Sequence, residues 1–102
     1  MNDDKHSKDP PEKIRILIAD SDADHRNALR NILSTQADIE IVALVADGER
    51  AARLAAQLQP AVAILEAGLQ RMDGTSAAES IALTAASCQL IMLAPTNDAA
   101  LI

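Results

Sequence analysis

A parallel, doubly wound α/β sheet is predicted by two features of this 102-residue sequence. Short, nearly unbroken runs of Ile, Leu and Val alternate with stretches in which apolar residues recur at helical spacing, and the junctions carry Asp, Ser, Gly or Pro. A run of that kind is how a strand covered on both faces reads, and strand–helix–strand alternation feeds a parallel sheet through crossover helices.

The first strand is IRILIAD, with Ile14, Ile16, Leu17 and Ile18. Asp20, Ser21, Asp22 and Asp24 follow, residue types suited to a helix cap and first turn. Ala28, Leu29, Ile32 and Leu33 then mark a helix from about Ala23 to Gln36. Ile39, Ile41 and Val42 to Val45 make the second strand, closed by Asp47 and Gly48. Ala51, Ala52, Leu54, Ala55 and Leu58 mark a second helix that stops near Pro60. Val62 to Leu65 give a third strand, residues Ala67 to Gly74 a loop, Thr75 to Thr84 an Ala-rich helix, and Leu90 to Leu93 a fourth strand. For Gly74, following Asp73 where the loop turns into that helix, a backbone role is sufficient.

Composition bounds what such a sheet can do. At this length there is one domain, with roughly 60 to 70% of the unfolded chain's surface available for burial. The apolar fraction is 49% with no Phe, Tyr or Trp, so the core is aliphatic and built from many small contacts. A net charge of −6, with no gathering of Lys and Arg, speaks against direct nucleic-acid binding. No run approaches the roughly 20 apolar residues of a membrane span, and the start lacks the apolar stretch of a signal peptide, so a cytoplasmic protein is expected. Residues 1–12, polar and ending in Pro10, Pro11 and Glu12, read as a disordered leader in which His6 is solvated. Residues 13–102 form the domain. Cys88 stands alone, without a disulfide or metal partner, and reads as a small buried residue near a strand.

In open α/β sheets, chemistry gathers at the carboxyl ends of the strands. Asp20, Glu66 and Ala94 end the first, third and fourth strands, and adjacent central strands would bring Asp20 and Glu66 into one shallow acidic cleft. No positive side chain is expected to compensate it. His25 reads as a surface residue, and Arg26 and Arg30 as a solvated helix face. Dinucleotide, P-loop, zinc-protease and hydrolase motifs are absent from the sequence.

Four segments, IRILIADSD with its helix, DIEIVALVADGERAARLAAQLQP, AVAILE with the Gly of MDG eight residues on, and QLIMLAP, resemble in order and spacing the receiver domains of bacterial response regulators. The similarity is greatest to those joined to LuxR-type DNA-binding domains. It implies a flavodoxin-like, CheY-like sheet of order 2-1-3-4 within a five-stranded parent, and a place in two-component phosphorelay signalling. It also implies a phosphoacceptor Asp ending strand three, two acids after strand one that help to hold magnesium, a Ser or Thr ending strand four, and a Lys ending strand five.

The chain departs from that pattern at nearly all of these positions. Glu66 stands at the phosphoacceptor site, Asp20 and Ser21 at the acidic pair, and Ala94 at the hydroxyl, while no fifth strand is read. Glu66 carries its carboxylate one methylene further out, and a misplacement of about 1 Å can cost on the order of a hundredfold in rate. The resemblance assigns the direct magnesium ligands to the positions of Ser21, Glu66 and Gly68, which leaves one charged ligand, with Asp20 close by and Asp22 better suited to capping the helix. Magnesium binding is therefore expected to be weak or absent, and no cofactor is expected. Ala94 cannot donate a hydrogen bond to a phosphoryl oxygen. Glu66 is read either as a fixed phosphomimetic charge or as a residue that drifted once the chemistry was lost. Arg71 is read as a solvated loop residue, with an ion pair to Glu66 as the alternative.

The expectation is a non-enzymatic pseudo-receiver regulating by protein contact. Its alternatives are a working phosphoacceptor with an atypical magnesium site, and the amino-terminal atypical receiver of a pilus-assembly ATPase or antiterminator. Strand four would be an apolar edge, with a fourth helix beginning at Thr96, Asn97 and Asp98. The partner is accordingly a carboxyl-terminal effector domain missing from a fragment, or a second copy in a homodimer, with the fragment preferred.

Overall fold

The computed structural model of the protein describes residues 12–94. The leader, apart from Glu12, lies outside the described residues, as do His6 and the helix start expected at Thr96. The described elements are β1 (Ile14–Ala19), α1 (Ala23–Ser34), β2 (Ile39–Val45), α2 (Gly48–Leu58), β3 (Val62–Glu66), α3 (Gly74–Thr84) and β4 (Gln89–Leu93). All strands are parallel in the order β2-β1-β3-β4, as expected, and among the described residues there is no fifth strand.

Each helix begins where an Asp supplies the first turn with an acceptor. Asp22 accepts from the N–H of Asp24 and His25, Asp47 from that of Arg50, and Asp73 from that of Ser76. The first helix stops at Ser34, two residues short of the expected end, because the hydroxyl of Thr35 folds back onto the Ile32 carbonyl at 2.7 Å. The second starts three residues earlier than its apolar pattern, at Gly48, and ends at Gln59 in the left-handed conformation, just before Pro60.

The register explains the apolar pattern of β2. Ile16 pairs with Ile41 but Leu17 pairs with Ala43, so Val42 is an extra residue, a bulge. Since side chains alternate along a strand, that insertion reverses which of them face which side. Ile39, Ile41 and Leu44 thereby join Ile16 and Ile18 on one face, while Ala43 and Val45 join Leu17 on the other.

The two faces are covered unequally. Leu17, Ala19, Ala63 and Leu65 lie under α2 and α3, whose Ala51, Ala55, Ala77 and Ile81 are fully buried, and Cys88 is buried there as expected. Small side chains let the helices approach closely, while Leu17, Leu65 and Ile81 each contribute roughly 1.5–3 kcal/mol by burial. On the other face α1 covers Ile16, Ile18 and Ile64 through half-buried Leu29 and Leu33, and buries none of its own residues fully. At the β4 end of the sheet Ile91 and Met92 remain 47% and 41% exposed.

Candidate functional site

Parallel pairing of β1 with β3 matches Ala19 to Leu65, which brings Asp20 and Glu66 to the same end of the sheet. The expected juxtaposition is there, but its electrostatics differ from the expectation. Asp20 is almost wholly buried, at 1% exposure, and both its carboxylate oxygens and its carbonyl are hydrogen-bonded. Its Oδ1 accepts the Asp22 N–H at 2.9 Å, its Oδ2 is hydrogen-bonded to Nδ1 of His25, and its carbonyl accepts Nη1 of Arg26 at 2.6 Å. A buried carboxylate needs such partners, because leaving its charge unpaired would cost far more than the bonds return.

The cleft is thus compensated, and two readings from sequence are corrected. His25 is half exposed but is not simply a surface residue, and Arg26 turns its head onto the tip of β1. The signal lay in the cap: with Asp22 as the residue before the helix, His25 and Arg26 fall in its first turn, and helical side chains lean back toward the amino terminus. The hydrogen bond to the Asp20 carboxylate, and then the charge of that carboxylate, raise the His25 imidazole above its ordinary value.

Glu66 points toward the loop that follows β1. Its Oε1 accepts both the N–H and the hydroxyl of Ser21, each at 2.8 Å. Gly68 lies just beyond, where an added methyl would sit 3.7 Å from Oε2 of Glu66. Asp22 is spent on the cap, as expected. Ala94 follows β4 and is exposed, with no side-chain donor. Arg71 does not reach Glu66. It takes a positive φ of 67° and lies 4.0 Å from Asp47 and 3.6 Å from Glu49 at the start of α2. At 69% exposure these are surface pairs, so the solvated reading stands.

The donor set does not suit the magnesium ion implied by the resemblance. That ion takes several oxygen ligands in strict octahedral geometry. Here one oxygen of Glu66 and both of Asp20 already accept protons from the chain, Ser21 brings a hydroxyl in place of a carboxylate, and two basic side chains close on Asp20. Among the described residues no group of three or more His, Cys, Asp or Glu is disposed to hold a metal.

The fold and the strand-tip cleft define a receiver, and comparison with known proteins agrees. The family model for the response regulator receiver domain matches residues 16–102, and the chain belongs to that family. It is 33% identical over 81 residues to a protein-glutamate methylesterase/protein-glutamine glutaminase of Caldanaerobacter subterraneus, covering 79% of this chain and 22% of that protein. It is 32% identical over 85 residues to the transcriptional regulatory protein LiaR of Bacillus subtilis, covering 83% and 40%. Among solved structures, the response regulator domain of Thermotoga maritima CheB superposes with a TM-score of 0.78 at 27% identity, covering 86% of this chain and 65% of that one. The receiver domain of NarL from Mycobacterium tuberculosis shares the fold, with a TM-score of 0.80 at 24% identity, covering 90% and 74%. The chain therefore spans less than half the length of these two relatives. A receiver is not itself catalytic.

Proposed function

We propose that this receiver acts without aspartyl phosphorylation, as a protein-contact module in two-component signalling. The observation that carries the reading is the Ser21–Glu66 pair: the carboxylate at the phosphoacceptor position is already held by two donors of the β1–α1 loop. An attacking carboxylate needs a metal to neutralise the developing charge, and here both oxygens of Asp20 that would help to hold one are bonded to Asp22 and His25, while Ser21 brings a hydroxyl in place of a carboxylate. Incubation with magnesium chloride and acetyl phosphate, followed by intact-mass measurement, leaves the chain unmodified on this reading. A gain of one phosphoryl group on Glu66 defeats it.

The rival is an ordinary phosphoacceptor, and it draws on identities of 32–33% to a methylesterase and a transcriptional regulator. The same mass measurement decides between them. The partner is an effector domain or protein that contacts the β4 side of the sheet, where Ile91 and Met92 are exposed. A second copy is the other candidate, and sedimentation of the purified chain reports it as a discrete dimer. The setting is cytoplasmic. Among the described residues no helix is long and apolar enough to cross a membrane.

A further inference from the structure

The acid pocket of this receiver is closed by side chains of its own. Asp20 is buried at the tip of β1, so its negative charge must be balanced within a few ångströms by something the fold supplies or recruits. Two side chains of the first turn of α1 converge on this one residue, His25 on the carboxylate and Arg26 on the carbonyl. Among the described residues neither is paired with another acid, and Asp22 is engaged by the N–H groups of Asp24 and His25. The amino-terminal end of a helix is an unfavourable place for positive side chains, which makes the strand tip a better partner than the helix itself.

We infer that His25, backed by Arg26, is the resident counter-ion of Asp20 and closes the pocket to divalent cations, so that restoring the missing carboxylates would not by itself restore metal binding. The inference rests on the reading that this pocket takes no magnesium, and it adds the reason: a positive side chain is installed, in addition to acids being lost. A divalent ion approaching Asp20 would have to displace the imidazole and then sit beside both it and the Arg26 guanidinium. Like charges at that separation repel, most strongly where burial keeps water away. Loss of acids alone makes a different statement, namely that replacing Ser21 and Glu66 by Asp is enough.

The test uses the full chain and manganese chloride as the probe, read from paramagnetic broadening of the Ala67 and Gly68 amides. The background is Ser21→Asp with Glu66→Asp, His25 retained. Adding His25→Gln is expected to raise the apparent manganese affinity by roughly tenfold or more, and His25→Lys in its place to hold it at the background level. An affinity within about twofold for the Gln and background proteins overturns the inference. If the doubly substituted background fails to fold, the unaltered chain still decides: its Asp20 carboxyl carbon resonance shifts in His25→Gln on this inference, and an unmoved resonance overturns it. Phosphorylation of the unaltered chain by acetyl phosphate bears on the function proposed above, whereas the manganese comparison between variants bears on the counter-ion alone, so the two failures are separable.

Discussion

Glu66 and Ser21 are joined twice through a single atom: Oε1 of the glutamate accepts the backbone N–H and the hydroxyl of the serine, both at 2.8 Å. The pair links the tip of β3 to the loop that enters α1, across 45 residues of sequence. A shorter acid at position 66 would not span the same gap from the same backbone. The pair therefore ties together the two departures from the family pattern, the longer acid and the hydroxyl in place of a carboxylate.

Removing either partner tests that tie. Ser21→Ala keeps the N–H and loses the hydroxyl, an exposed hydrogen bond to a charged group worth about 1 kcal/mol. Glu66→Ala removes the one oxygen that accepts both bonds and should also speed exchange of the Ser21 amide. Urea unfolding and amide exchange measure the two effects, and equal exchange rates in Glu66→Ala and the unaltered chain would contradict the bond.

The start of α3 supplies the dependence on pH. Asp73 is held below its ordinary value, first by the Ser76 N–H and then by the Ser76 hydroxyl. A carboxyl lowered on folding contributes stability that is present above its unfolded value of 3.8 and is lost as pH falls through the folded one. Asp73→Asn, which keeps the capping oxygen without titrating, should therefore show a shallower loss of Tm than the unaltered chain on acidification. Identical acid limbs would remove Asp73 from the account.

Much of the fold is legible in the sequence. The unbroken runs IRILIA and VAILE can be satisfied only by burial on two faces, which is why a parallel sheet and the meeting of Asp20 with Glu66 followed from pattern, whereas the strand order was implied by the family resemblance. What stayed hidden depended on distance and direction. His25 reads as a surface residue and Arg26, with Arg30, as a solvated helix face, and the placement of α1 over the tip of β1 is what brings His25 and Arg26 onto Asp20. The bulge at Val42 could not be read either, because IEIVALV is apolar enough to serve either face until its pairing with β1 is fixed.

Exposure separates two apolar substitutions of similar appearance. Leu65 is fully buried beneath α2 and α3, and Leu65→Ala should cost about 2–5 kcal/mol, enough to unfold much of a small domain. Ile32 on α1 is 66% exposed, and Ile32→Ala should change stability by no more than about 0.5 kcal/mol. Denaturant unfolding of both variants measures the contrast. A large loss from Ile32→Ala would mean that something covers this flank of α1 in solution.

Three glycines around the site give a graded test of how tightly the loop after β3 is held. At Gly48 a methyl group would lie 1.7 Å from the Met72 carbonyl oxygen, and the Gly48 N–H donates to the Gln70 carbonyl at 3.1 Å, so α2 begins in direct contact with that loop. At Gly74 the methyl would lie 2.3 Å from the Glu66 carbonyl oxygen. Alanine favours a helix over glycine by about 1 kcal/mol, but in both places main chain would have to move, and such overpacking costs about 1–3 kcal/mol or more. Gly48→Ala and Gly74→Ala should therefore both lower Tm, and Gly74→Ala should also shift the Ser21 amide resonance, because the residue it displaces is Glu66. At Gly68 the nearest atom, Oε2 of Glu66, is at 3.7 Å, an ordinary contact, and the glycine has no positive φ to lose. Gly68→Ala should be tolerated to within about 0.5 kcal/mol. The order of the three melting points checks the argument, and a Gly68 variant as unstable as the other two would show that the loop is packed differently around Glu66.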